Sequence, residues 1–148
     1  MSLFSPEALL NAKFESANAT RREPLPAGET MAQITKLDFA SGSTERGPWY
    51  KLNVTLDLAD AEYLTKAQRE KATITYGLML DMTDAGTFAM GPNKNVQLGR
   101  LREATGTNQP GKGLNDMIGQ YVRVTIGHRP DKNDPAIVYD DVKAVAKM

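Results

Sequence analysis

The chain has no cysteine, which excludes disulfides and thiolate metal sites outright. It has one histidine, His128, and one tryptophan, Trp49. With a single imidazole and no thiol, there is no local Ser/His/Asp or Cys/His arrangement and no HExxH zinc signature, so an enzyme is not expected. No apolar run approaches the roughly 20 residues that a bilayer span requires. The start MSLFSPEALL lacks the basic residues and long apolar core of a secretion signal, so a cytoplasmic location without membrane contact is expected. Net charge is missing too, because 18 basic side chains face 18 acidic ones. Nonspecific polyanion binders usually carry a basic excess, so any binding face here must come from local asymmetry. Such asymmetry exists: Arg100, Arg102, Lys112, Arg123, Arg129 and Lys132 outnumber the acids between residues 100 and 132, whereas residues 53–90 run acidic.

What is present is a folding domain. At 148 residues, 41% apolar and 24% charged, the chain has the balance of one soluble globular unit with a real core. Residues 5–19 read as a helix: Ser5 caps it, Pro6 suits its first position, Glu7 complements its dipole, and Leu9, Leu10, Lys13 and Phe14 form a stripe. Pro24 and Pro26 then force extended backbone. Residues 1–26 are accordingly an arm and linker, and residues 27–148 the main domain. The uncovered stripe predicts that the arm docks on the domain or on a second copy, the latter making a homo-oligomer.

Within the domain, Glu29–Phe39 reads as a first strand and Ala40–Gly47 as a polar loop. Pro48–Leu58 alternates most clearly, with Tyr50, Leu52, Val54, Leu56 and Leu58 on one face and Trp49, Lys51, Asn53, Thr55 and Asp57 on the other. Residues 60–72 form a short helix and Thr73–Met82 a third strand. A helix over 95–105 ends at Gly106. A turn over Leu114–Gly119 leads into strands near Gln120–His128 and Ala136–Ala146. Three strands, a helix and two strands is the element order of a five-stranded OB-like antiparallel barrel, mainly β, with its helix between strands three and four. Val54, Leu56, Leu78, Val122, Val124 and Ile126 should share its core.

Four segments carry a resemblance: PLPAGE (Pro24–Glu29), WYKLNVTLDL (Trp49–Leu58), LGRLREATG (Leu98–Gly106) and LNDMIGQYVRVTIG (Leu114–Gly127). Together they resemble the OB-fold single-stranded DNA-binding proteins of phages. The resemblance spans most of residues 24–146 and implies a protein of DNA replication or recombination, located in the host cytoplasm. One departure is the end of the chain, VKAVAKM, which is basic and apolar where many such proteins carry an acidic, partner-recruiting tail.

The candidate contacts with single-stranded DNA are Arg46, Trp49, Lys51, Asn53, Arg123, His128, Arg129 and Lys132. Trp49 shares a polar face with Lys51 and Asn53, where an aromatic ring can stack on a base. Packing under the arm is the other role open to it. Arg46, Arg123, Arg129 and Lys132 are scattered cations of the kind that neutralise phosphates, while Arg100 and Arg102 read as solvated charges. His128 opens the loop HRPDKNDP, as a plain solvent-exposed residue or as a nucleic-acid contact. Asp131 and Asp134 in that loop lack EF-hand spacing, and GTNQPGKG lacks the Ser/Thr of a phosphate-binding loop, so neither a metal nor a cofactor is expected. The alternative is a non-catalytic OB or β-sandwich module of a virion or complex, using its arm and sheet edges for protein contacts.

Overall fold

A computed structural model describes residues 5–148. Its frame is one antiparallel sheet built from β1 (Gly28–Thr44), β2 (Gly47–Leu58), β3 (Thr73–Leu80), β4 (Tyr121–Pro130) and β5 (Val138–Ala146), ordered β3-β2-β1-β4-β5. Among the described residues three helices complete it: α1 (Pro6–Asn11), α2 (Ala61–Lys66) and α3 (Val96–Ala104), with a 3-10 turn over Leu114–Met117 before β4. β3 and β5, the two outermost strands, approach each other without ladder pairing, and α3 packs against both. The sheet is therefore strongly curved but not closed by hydrogen bonds.

The period-2 pattern decides which face is buried. Leu52, Val54 and Leu56 of β2 lie opposite Leu78, Tyr76 and Ile74 of β3, and all but half-buried Tyr76 are in the core. On the other side of β1, Thr30 and Ala32 pair with Val124 and Val122. All six expected core residues are buried, at 0–1% exposure. α3 turns Leu98, Leu101 and Ala104 onto this core, a spacing of three that keeps them on one side of a helix. Truncating a fully enclosed residue such as Leu101 is expected to cost about 2–5 kcal/mol.

Three expectations are corrected. The helix over 5–19 is only the six residues Pro6–Asn11. Ser5 does cap it, accepting from the Ala8 N–H at 3.4 Å, but no residue of α1 is buried, and a helix without a packed face has little to extend it. The loop over 40–47 is instead the end of β1 and a tight turn at Glu45–Arg46, because pairing with β2 continues to Thr44 opposite Gly47. Arg102 is not a solvated charge: its Nη2 donates to the carbonyls of Thr107, Gln109 and Lys112 at 3.1–3.4 Å and ties down the loop after α3.

The linker is fastened to the domain. Leu25 is a core residue; its N–H donates to Asp140 Oδ1 at 2.7 Å and its carbonyl accepts from His128 Nε2 at 2.6 Å. Tyr63 donates its hydroxyl to the Pro26 carbonyl at 2.5 Å, and Arg69 Nη2 donates to the Glu23 carbonyl at 2.6 Å. Burial pushes the Tyr63 hydroxyl pKa above its ordinary value of 10.0; the Asp140 carboxylate adds to the rise and Arg69 opposes it.

Candidate nucleic-acid interface

The face of the sheet opposite the core is set by the same alternation. On β2 it carries Trp49, Lys51, Asn53, Thr55 and Asp57. Their partners are Gly42, Ala40, Asp38, Lys36 and Gln33 on β1, and Met79, Gly77, Thr75 and Thr73 on β3. The β1 register slips by one residue between Ile34 and Lys36, so a bulge at Thr35 preserves the alternation on both sides.

Trp49 is half-buried on this outer face. The glycine across from it explains how. A Cβ placed on Gly42 would lie 2.6–2.7 Å from indole atoms Cε2, Cζ2 and Nε1, so the ring covers the space that a side chain would fill. Lys51 does the same to Gly77 on β3, where its aliphatic stem crosses the glycine and Asn53 Oδ1 lies 3.5 Å from the same point. Glycine normally weakens a strand. Here two glycines flank β2, and each leaves the space beside it to one of its long side chains.

Arg46 sits in the turn at the end of the same hairpin, with its N–H donating to Thr44 Oγ1 at 3.2 Å. Trp49, Lys51 and Asn53 therefore follow one another along the outer face, with Arg46 in the turn that ends it. Asp38 lies opposite Asn53 and is paired with Lys36 at 3.3 Å. Both partners are exposed, so this ion pair contributes little to stability, yet it sets a carboxylate within the patch.

The remaining candidates lie elsewhere. Arg123 is also on the outer face, opposite Met31 of β1, whereas Lys51 is opposite Ala40. The nine residues between those partners correspond to about 30 Å of extended strand. Arg129 continues the outer row of β4, and its guanidinium carbon is 5.2 Å from the centre of the Tyr139 ring on β5. Lys132 is exposed in the loop that joins these strands. That loop is tightened by Asp131 N–H to Ile137 O at 2.8 Å and by Ile137 N–H to Asp134 O at 2.9 Å. His128 points the other way and holds the Leu25 carbonyl.

Two aromatics join this face that the sequence does not single out. Tyr121 and Tyr139 share it with Arg123 and Arg129, and they are 47% and 43% exposed. For Tyr121 a signal exists: the inward alternation of Val122, Val124 and Ile126 puts Tyr121, Arg123 and Arg129 on the opposite face. Tyr139 cannot be found that way, because its register against Arg129 depends on the length of the intervening loop. Among the described residues, no group of three or more His, Cys, Asp or Glu is placed to hold a metal ion. No described helix is long and apolar enough to cross a membrane.

No family model matches the chain, and the search of curated proteins finds no match either.

Proposed function

We propose that the protein binds single-stranded DNA along the outer face of its sheet, with low sequence preference, in phage DNA replication or recombination. The observation that carries this reading is the seating of Trp49 over Gly42 beside Lys51 over Gly77. An indole seated over a glycine on the outer face can stack on any base, and the neighbouring ammonium can meet a phosphate. Tyr139 backed by Arg129, and Tyr121 beside Arg123, extend the same chemistry toward the far end of the face. A track of this length suits several nucleotides, within the range of roughly 4–16 bound per OB domain.

The OB-like barrel belongs to the same proposal. Strand order β3-β2-β1-β4-β5, with β3 and β5 brought together and α3 lying at their seam, is consistent with the wiring of that barrel. His128 is better assigned to fastening the linker than to touching DNA, since the Leu25 carbonyl already occupies its Nε2.

Titrating fluorescently labelled single-stranded oligonucleotides at two salt concentrations tests the reading. Saturable binding that weakens steeply with salt, and that differs little among base compositions, is the expected result. Absence of binding at the lower salt concentration would leave the protein-interaction module as the better reading.

A further inference from the structure

A cavity of about 250 Å³ lies beside α3, between the loops that precede and follow that helix. Phe88, Met90, Leu98 and Leu114 give it an apolar lining, Lys94 and Lys112 add cations, and no carboxylate lines it. Pockets for drug-sized ligands occupy roughly 300–1,000 Å³, so this one is sized for a side chain or two rather than for a cofactor.

The arm has what the cavity lacks. Every residue from 5 to 24 is exposed, with Leu10 at 85% and Phe14 at 81%. Glu7 and Glu15 flank them with charges opposite to those of Lys94 and Lys112, and they outnumber Lys13, the one cation of residues 5–17. α1 stops at Asn11, although Ala12–Ala17 consists mostly of good helix formers. Continued through Ala17, the helix would align Leu10, Phe14 and Ala17 on one stripe beside Glu7. That is the pattern of a helix read by a groove.

We propose that the cavity beside α3 receives the arm of a second copy of this chain, with Phe14 as the inserted side chain and the helix lengthening as it docks. The chain's own domain leaves residues 5–24 of the arm uncovered. The root of the arm is fixed at Glu23–Pro26, and the nine residues from Phe14 to Glu23 reach about 30 Å when extended, enough to cross to a neighbour. This inference does not depend on DNA binding, and its test uses no DNA.

The test compares the full-length chain with Phe14→Asp, which spoils the arm, and Met90→Asp, which spoils the cavity at a residue 79% exposed. Both positions are exposed in the single chain, so both variants should fold, as far-ultraviolet circular dichroism will verify. In sedimentation, the parent should run as two or more copies and each variant alone as one. Mixing the two variants should restore a complex containing one of each, because the intact arm of Met90→Asp can enter the intact cavity of Phe14→Asp. A parent that stays at single-copy mass, with its arm in cis or free, would overturn the proposal. So would Met90→Asp keeping the parent's mass, whether or not Phe14→Asp loses it.

Discussion

Trp49 and Gly42 act as one unit, and substitutions at the two positions should be equivalent in effect. Trp49→Ala is expected to weaken oligonucleotide binding by roughly 1–3 kcal/mol with little dependence on base identity. As the only tryptophan, Trp49 should also lose fluorescence when single strands bind. Gly42→Val is the subtler probe. Its side chain would enter the space held by the indole, displace the ring and weaken binding toward the level of Trp49→Ala, although the tryptophan is still present. Equal affinity of Gly42→Val and parent would show that the seating of the ring is irrelevant. Asp38 supplies a change of opposite sign: removing its charge beside Asn53 with Asp38→Asn should strengthen binding, most visibly at low salt. The face that Trp49 occupies is legible from strand alternation, but its seating is not. Nothing local to Trp49-Tyr50-Lys51 announces that the residue seven positions upstream is the glycine across the ladder.

At the scale of elements, the strands are the most legible part, because one buried face imposes a period of two that survives any uncertainty at their ends. The arm helix is shorter than its sequence suggests for the complementary reason: caps and propensity start a helix, but packing sustains it. The polar run Ala40–Thr44 reads as a loop because small polar residues carry no apolar pattern, whereas the partner strand pairs with their backbone regardless of side chain. Asn95 shows what sequence pattern cannot reveal. It adopts left-handed backbone (φ 50°, ψ 42°) at the start of α3. Its side chain accepts from the Asp81 N–H at 2.7 Å and donates to the Asp81 and Ala89 carbonyls at 2.9 and 3.0 Å. Asn95→Ala should therefore destabilise the domain by about 1–3 kcal/mol through the missing hydrogen bonds. Asn95→Gly, free of the left-handed penalty, should be milder by roughly 1–2 kcal/mol. Denaturant unfolding of the two variants measures both differences.

For the whole molecule, neutral net charge would make the proposed binding a matter of placement rather than of overall field. Replacing Arg46, Lys51, Arg123 or Arg129 singly should reduce the salt slope for single strands by about 0.7 for each phosphate no longer neutralised, while Arg102 substitutions should act on stability instead. Stability should also fall in alkali. Tyr63 and Tyr76 both hold their protons more tightly in the folded chain than their ordinary value of 10.0, burial being the first cause in each case. The unfolded chain then releases protons first, so stability present below about pH 10 is lost as pH rises through the folded values. Denaturant midpoints measured from neutral to alkaline pH check the sign. The fastening of the linker has a mechanical consequence. A pull on the arm would be carried through Tyr63 into α2 and through His128 and Asp140 into β4 and β5, because these side chains hold the backbone on either side of the buried Leu25. The arm is thus a tether whose root is anchored in the domain itself.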